Sequence, residues 1–188
     1  MSSNQPNLLP RLLDEHGGML RFLFLAAFLF TSFLYVYDNY IYGSDVFVIY
    51  LEFCASVTSW ALNTFLGMQT VIVETLRDVH TKILQQEGSK VFIIVARGCD
   101  ASTVFAVLIA TVTAWPGRWL VKLPVVLAGL TLMFMLNIMR IAGMLLVEIY
   151  NPDYFDMFHE WVLPSALVVG ALLYFYVWVV FSGRHPAD

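Results

Sequence analysis

The sequence predicts an all-α polytopic membrane bundle of about five transmembrane helices, with a small β-hairpin flap between the second and the third. Composition is the first observation: 60% of the 188 residues are hydrophobic and 13% are charged, whereas soluble domains average about 45–50% and about 25%. The second observation is that the charges are spaced so that five long apolar runs remain. Each run approaches the roughly 20 residues that cross a hydrocarbon core.

The charge balance and the motif content exclude several classes of protein. Ten Lys and Arg against fourteen Asp and Glu give a net charge of −4, so a basic surface for nucleic acid is not expected. The hydrophobicity excludes a disordered chain and an ordinary cytosolic enzyme. The sequence contains no phosphate loop, dinucleotide fingerprint or metal-ligand cluster, so neither a cofactor nor a metal is expected. Two cysteines do not make a disulfide framework.

The first two apolar runs, 20–37 and 46–66, follow a polar N-terminal segment, 1–19. Arg21 lies at the start of the first run, where its long side chain can reach the membrane surface. Because a small-residue cleavage site does not follow, this run is interpreted as a retained helix rather than a signal peptide. The second run is interrupted only by Glu52, which the cost of a charge in lipid predicts to face the bundle interior or its mouth.

Residues 67–98 form the one sizeable polar stretch between apolar runs, and they predict a flap at the membrane surface. The stretch contains the segments VIVETL and KVFIIVA, which are rich in β-branched residues, with a turn signal at Gly88-Ser89. These features favour a β-hairpin or a three-stranded flap over a helix. The flap leads directly into the third apolar run.

The last three runs, 100–116, 120–150 and 161–182, place three polar residues at one end of the bundle. Arg140 lies 18 residues after Lys122, roughly 27 Å along a helix, which is nearly one hydrocarbon thickness. Cys99 begins the third run at the same membrane face, and His159 lies in the loop that joins the last two runs. Connectivity alone therefore predicts that Cys99, Arg140 and His159 converge.

These three residue types can support acyl transfer through a thioester. The nucleophile is the thiolate, and the ordinary thiol pKa of about 8.5 is lowered by a helix N-terminus and by a nearby arginine. Arg140 could also hold a tetrahedral oxyanion, and His159 could activate the thiol and then protonate the leaving amine. Cys54, by contrast, lies within the second run and is expected to be a core residue.

Other interpretations of the same residues remain open. Arg140 could pair with Glu148 on the same helix face, and Asn137 could orient Arg140 or bond a neighbouring helix. Arg97 and Asp100 flank the thiol, and one of them is expected to tune it electrostatically, although both could contact lipid headgroups instead. At the level of the whole protein, the alternatives are a non-catalytic membrane scaffold and a protein that binds or transports an anionic lipid through Arg140.

The motifs GCDAS, NIMR and FHEW occur in an order that resembles the exosortase/archaeosortase membrane proteins, most of all the small exosortase H branch. That family has a cysteine at a flap–helix junction, an arginine in an N-x-x-R motif and a final histidine or arginine. These positions correspond here to Cys99, to Asn137 with Arg140, and to His159. The family pattern is usually Cys-Ser-Gly, whereas Asp100 and Ala101 follow the cysteine here. The resemblance covers about residues 67–181.

The resemblance implies a membrane cysteine peptidase or transpeptidase that sorts proteins to the cell surface. Its partners would be exported proteins whose C-terminus carries a short motif, a transmembrane helix and a basic tail, together with an acceptor amine of unknown identity. Such an enzyme would lie among the lipids of the cell (inner or plasma) membrane, with its site on the extracytoplasmic face. It would need no cofactor and would not bind nucleic acid.

The distribution of positive charges opposes that orientation. With five crossings, the N-terminus, the flap and the His159 loop share one side, which carries six Lys and Arg against three on the other side. The positive-inside rule would then place the site in the cytoplasm. Because four of the six charges belong to the flap, the extracytoplasmic placement is preferred, with the N-terminus outside.

Overall fold

The computed structural model describes the backbone of residues 8–74, 82–88 and 90–182, and the side chains of residues 17–73, 84–85, 87–88 and 90–181. Residues 1–7 of the predicted polar segment and residues 75–81 and 89 of the predicted flap lie outside the described residues. The helices are α1 (Leu8–Val36), α2 (Asp45–Leu66), α3 (Ser102–Ala114), α4 (Trp119–Tyr150), α5 (Phe155–Met157) and α6 (Leu163–Ser182). The strands are β1 (Thr70–Glu74), β2 (Lys82–Gln86) and β3 (Phe92–Val95).

Long apolar helices dominate the molecule, which confirms the prediction of a helical, multi-pass membrane protein. Four segments are long and apolar enough to cross a membrane, namely Gly17–Ile41, Asp45–Leu66, Trp119–Tyr150 and Pro152–Phe181. The third predicted span, 100–116, contains a shorter helix of 13 residues, α3. Its length of roughly 20 Å is less than the roughly 30 Å hydrocarbon core. Helix α1 begins at Leu8 and so includes part of the segment predicted to be polar and separate.

The predicted flap contains a small antiparallel sheet with the strand order β1-β2-β3. Its register pairs Ile72 with Leu84, and Leu84 with Ile93. Side chains alternate between the two faces of a strand, and Leu84, Ile93 and Val95 are buried on the inner face. They pack in one core cluster with residues of α2 and α4. The sheet is therefore anchored to the helices directly beside the loop that carries Cys99.

Helices α1 and α3 lie antiparallel, because the end of α1 contacts the residues before α3 and the middle of α1 contacts the end of α3. Tyr37 begins the π-helical turn Tyr37–Ile41 after α1, and its hydroxyl donates to the Asp100 carboxylate at 2.6 Å, just before α3. At the other end, the Phe22 ring of α1 packs edge-on against Trp115, with 5.4 Å between ring centroids. The beginning of α1 therefore lies at the end of the bundle opposite to Cys99.

Helix α4 runs antiparallel to both α3 and α6. Lys122 near the start of α4 donates to the Thr113 carbonyl at the end of α3 (2.8 Å), and the Tyr174 hydroxyl of α6 donates to Val125 (2.5 Å). Gly129 allows this close approach, since a Cβ atom there would lie 2.7 Å from the Tyr174 ring. Helices α1, α3, α4 and α6 thus form an up-and-down bundle, with the Cys99 loop at one end.

Helix α2 begins beside the Cys99 loop and ends against strand β1. The hydroxyl of Tyr50, near its start, donates to the Asp100 carbonyl (2.9 Å), and Asn63, near its end, accepts from the Thr70 amide of β1 (2.9 Å). The middle of α1 packs at the end of α3 opposite to the Cys99 loop, whereas five crossings were expected to place the N-terminus and the flap on one side. Glu52, which was expected at the bundle interior or at its mouth, is exposed on α2 and so does not lie in the interior.

Candidate functional site

The loop between β3 and α3 carries Cys99 and has a tight, glycine-dependent backbone. The Cys99 amide donates to the Ala96 carbonyl at 2.9 Å, which closes a turn. Gly98 has φ 92° and Ala101 has φ 54°, both in the left-handed region that favours glycine. Because Ala101 is a rare non-glycine residue in this conformation, the loop is held by its surroundings rather than by local preference.

Two side chains of α4 hold this loop through its backbone carbonyls. Asn137 Nδ2 donates to the Cys99 carbonyl at 2.7 Å, and Arg140 Nη1 donates to the Gly98 carbonyl at 2.7 Å. The residues are three apart in α4 and so project from one face of the helix. Arg140 has no ion pair with Glu148 among the described residues; its guanidinium contacts the loop instead. The structure therefore brings Asn137 and Arg140 together with the Cys99 backbone.

The Asp100 carboxylate is buried and accepts from one side chain of another element and from one amide of its own loop. Its Oδ2 accepts from the Tyr37 hydroxyl at 2.6 Å, and its Oδ1 accepts from the Gly98 amide at 3.1 Å. Tyr50 donates to the Asp100 carbonyl. Sequence reasoning missed both tyrosines, because the run of tyrosines that includes Tyr37 is typical of an aromatic belt at the membrane surface.

Arg97 lies at the exposed rim of this loop and not beside the thiol. Its guanidinium forms an ion pair with Asp38, and both side chains are about half exposed. It also lies over the Tyr42 ring, 4.5 Å from the centroid. Arg97 therefore joins the loop to the turn after α1, while Asp100 is the flanking residue whose charge acts on Cys99.

A cavity of about 420 Å³ opens beside the loop and contains the Arg140 side chain in its wall. The rest of the wall comes from the end of α1, the loop, the first turn of α3, and Pro164, Leu167 and Val168 of α6. Arg140 is 8% exposed, and its Nε atom is buried without a hydrogen-bond partner. An unpaired buried donor costs about 1–3 kcal/mol. The cavity wall therefore contains a buried cationic side chain with one unsatisfied donor.

Cys99 itself lies behind this wall, with 4% of its surface exposed. Burial raises the pKa of the Cys99 thiol above its ordinary value; a backbone hydrogen bond at Ala96 and the charge of Arg140 oppose this, and the charge of Asp100 adds to it. The sequence argument included the helix N-terminus and the arginine, both of which lower the pKa. In the folded protein the loss of hydration outweighs them, so the thiol is protonated at neutral pH.

His159 lies on the π-helical turn Phe158–Val162, five residues before Pro164 of the cavity wall. Its ring is half buried and stacks on Phe155, with 5.6 Å between centroids and an interplanar angle of 7°. Within the described part of the chain it makes no hydrogen bond to Cys99 or Arg140. The structure thus brings Cys99, Asn137, Arg140 and Asp100 together and leaves His159 at the neighbouring turn.

This arrangement places groups that can stabilise an anion next to a buried thiol. The first turn of α3 has no side-chain cap, so its free amides, like the Arg140 guanidinium, can donate to an oxyanion. Among the described residues, no group of three His, Cys, Asp or Glu could hold a metal ion. Comparisons with protein-family models, curated proteins and solved structures found no match to this chain.

Proposed function

We propose that this chain is an exosortase-like membrane cysteine peptidase or transpeptidase that cleaves the C-terminal sorting signal of exported proteins. The observation that carries the proposal is the contact between the two motifs. Asn137 and Arg140 of NIMR bind the carbonyls of Cys99 and Gly98 in GCDAS, each at 2.7 Å. Residues that lie about 40 positions apart in the sequence thus form one site, in the order that the family resemblance implies.

The backbone at position 101 supports the same proposal. The family pattern usually has glycine two residues after the cysteine, and this chain has Ala101 there. Ala101 adopts φ 54°, a conformation that glycine adopts without strain. The loop therefore keeps a glycine-like geometry although the glycine itself is replaced.

The proposed reaction is acyl transfer through Cys99. The Cys99 thiol gives its proton to His159, and the sulfur attacks the carbonyl carbon of the scissile peptide. Arg140 and the first amides of α3 stabilise the resulting oxyanion. The C–N bond then breaks, and the amine leaves with the proton from His159. An acceptor amine or water attacks the thioester and restores the thiol.

Two conformational steps follow from this scheme. The thiol must become accessible from the cavity, because Cys99 is buried behind the cavity wall. His159 must also approach the thiol from its stacked position on Phe155. Its π-helical turn is a plausible element for such a shift, because π-helical turns are rare and frequently occur at functional sites.

The membrane placement that we propose has four crossings, by α1, α4 and α6 and by α3 together with the loop residues at its two ends, since α3 alone is shorter than the hydrocarbon core. In this placement α2 and the sheet lie on the outer side. Asn137 lies 15 residues after Lys122 in α4, so Cys99 is roughly 22 Å from the Lys122 level. Among the described residues, Arg11, Arg21, Arg118 and Lys122 lie at the end opposite to Cys99, against Lys82, Lys90 and Arg97 in the flap and the Cys99 loop. The positive-inside rule places that end in the cytoplasm. The charge distribution and the extracytoplasmic site then agree.

The substrate class rests on the family resemblance, and the cavity is compatible with it. Its wall combines the Arg140 guanidinium with apolar residues of α1 and α6, such as Leu34, Leu167 and Val168. A substrate with an apolar helix and an adjacent peptide bond could place the helix against these residues and the peptide bond near Arg140. The acceptor would be an amine that reaches the same cavity.

A non-catalytic scaffold is the second candidate, and the burial of Cys99 favours it. Asn137 and Arg140 both donate to backbone carbonyls, as residues that merely hold a bundle together would. In that case the cluster would stabilise the fold, and the thiol would be dispensable.

Co-expression with membrane-anchored candidate substrates distinguishes the two proposals. The candidates are exported proteins whose C-terminus carries a short motif, one helix and a basic tail, and processing is measured as a mobility shift on a gel. We expect wild type and Cys54→Ala to shorten a substrate, and Cys99→Ala and Arg140→Ala to lose about 100-fold or more of the activity. Cys54 is the matched control, because it is the other buried free thiol of the described chain.

Each other outcome of this experiment has a defined meaning. If Cys99→Ala shortens the substrate as wild type does, the thiol mechanism is wrong and the scaffold is favoured. If only Arg140→Ala loses function, the arginine acts without the thiol, as the binding of an anionic lipid would require.

A further inference from the structure

A second cavity lies at the end of the bundle opposite to Cys99. Its volume is about 410 Å³, and it is formed by the start of α1, the end of α3, the α3–α4 connection and the start of α4. Two cationic side chains, Arg21 and Lys122, line it, together with the rings of Phe22, Trp115 and Trp119. The proposed peptidase reaction uses none of these residues.

Lys122 is an unusually buried cation. It is 6% exposed, and its ammonium group donates to the Thr113 carbonyl at 2.8 Å and lies 5.0 Å from the centre of the Trp119 ring. An ammonium group has three N–H donors, and the Thr113 carbonyl accepts one of them. A buried charge is costly unless it is compensated. Among the side chains that the structure describes, no carboxylate lines this cavity.

The cavity walls add further positive potential. Arg21 is exposed and lines the same cavity. Helix α4 begins at Trp119 in the cavity wall, and its N-cap residue, Arg118, makes no side-chain cap. The first amides of a helix carry a partial positive charge. Two cations thus line one space beside the positive end of α4, which favours an anionic occupant.

We propose that this cavity binds the phosphate group of an anionic phosphate ester, with the headgroup of an anionic membrane phospholipid as its source. Three features point to a lipid. The cavity lies where the apolar part of the bundle ends, its aromatic residues are of the type found at membrane surfaces, and apolar side chains such as Leu25 continue its wall. Phosphate oxygens accept charge-assisted hydrogen bonds from Lys and Arg. The proposal is independent of the peptidase activity.

The test uses the full-length protein in nanodiscs. Thermal unfolding midpoints are compared between nanodiscs of phosphatidylcholine alone and nanodiscs of phosphatidylcholine with phosphatidylglycerol. Inorganic phosphate is then titrated into the protein in phosphatidylcholine alone. A ligand that binds only the folded state raises the midpoint in a concentration-dependent way. We expect phosphatidylglycerol to raise the unfolding midpoint of wild type. Arg21→Gln and Lys122→Gln should each lower the affinity for this lipid by about tenfold, so that the midpoint rises less.

A positive charge outside the cavity provides the control variant. Lys90→Gln removes one positive charge at the Cys99 end and should respond to phosphatidylglycerol as wild type does. Arg21→Gln is the safer variant if Lys122→Gln fails to fold, since Arg21 is exposed. A midpoint that rises with inorganic phosphate and not with phosphatidylglycerol keeps the phosphate site and replaces its source with a soluble ester. The proposal is wrong if neither ligand raises the midpoint, or if Arg21→Gln responds as fully as wild type.

Discussion

Asn137 Nδ2 lies 2.7 Å from the carbonyl oxygen of Cys99, across 38 residues of sequence. Asn137 is completely buried, and its Oδ1 atom has no hydrogen-bond partner. This hydrogen bond helps to set the position of the Cys99 loop along the axis of α4. Together with Arg140 it determines where the thiol lies relative to the cavity.

Replacement of Asn137 by Ala should loosen the Cys99 loop. The Cys99 carbonyl would lose its donor inside the protein, which costs about 1–3 kcal/mol, and substrate processing should fall with it. Thermal unfolding and the gel-shift assay measure the two effects. Thr131→Ala is the control, because Thr131 is exposed on the same helix and donates only to Leu127. Unchanged stability and processing in Asn137→Ala would contradict this role.

The reactivity of the Cys99 thiol should depend on pH in a direction set by its surroundings. Burial raises the pKa of Cys99, the charge of Arg140 lowers it, and that of Asp100 raises it. In a Cys54→Ala background, alkylation by a small maleimide should be slow at neutral pH and accelerate above the ordinary thiol pKa of about 8.5. Arg140→Gln should move the midpoint to higher pH, and Asp100→Asn should move it to lower pH.

The same shift predicts a pH dependence of stability. Because the pKa of the folded state lies above that of the unfolded state, the unfolded chain releases the Cys99 proton first. The contribution of the Cys99 thiol to the free energy of unfolding is therefore fully present below about pH 8.5. It is lost as the pH rises through the pKa of the thiol in the folded state. When the pH is raised from neutral to alkaline, the free energy of unfolding should fall less for Cys99→Ala than for wild type. Parallel unfolding curves for the two proteins over that range would contradict the raised pKa.

Tyr37→Phe should destabilise the protein by about 1–2 kcal/mol, because the buried Asp100 carboxylate loses the donor at 2.6 Å. Tyr40→Phe is a suitable control, since Tyr40 is exposed in the same π-helical turn. Thermal unfolding of the two variants in one detergent is the measurement. Equal unfolding midpoints would show that the Tyr37 hydroxyl does not support the loop.

Gly129→Ala should separate α4 from its neighbours. A Cβ atom at this position would lie 2.7 Å from the Tyr174 ring and 2.8 Å from Leu108, and overpacking of this kind typically costs about 1–3 kcal/mol. Gly143→Ala is the matched control on the same helix, because its nearest neighbour would be 3.8 Å away. The prediction fails if both variants unfold at the wild-type temperature.

The four-crossing arrangement can be tested by cysteine labelling in a Cys54→Ala, Cys99→Ala background. A membrane-impermeant maleimide added to intact cells should label Lys90→Cys on the outer side and leave Gly17→Cys and Arg118→Cys unlabelled until the cells are opened. Five crossings with an outer N-terminus would instead expose Gly17→Cys. Labelling of Gly17→Cys and Lys90→Cys together would therefore contradict the placement of α2.

The sequence by itself determined which segments are helical and apolar, and that the polar stretch before Cys99 forms strands. These properties depend on the local spacing of charges and of β-branched residues, which a single segment contains. It also indicated that Arg140 and Cys99 share one end of the bundle, because helix length and connectivity fix that relation. The contacts with the Gly98 and Cys99 carbonyls then followed from the tertiary structure.

Only the tertiary structure decided the place of α2, the burial of the thiol and the partners of Asp100. An apolar helix of 22 residues can exclude water equally well by crossing lipid or by packing on a sheet and on α4, so hydropathy does not distinguish the two. The net pKa of Cys99 likewise depends on a balance between hydration lost to its neighbours and charges brought close by other helices. Such balances are set by contacts between segments distant in sequence, which appear only when the chain is folded.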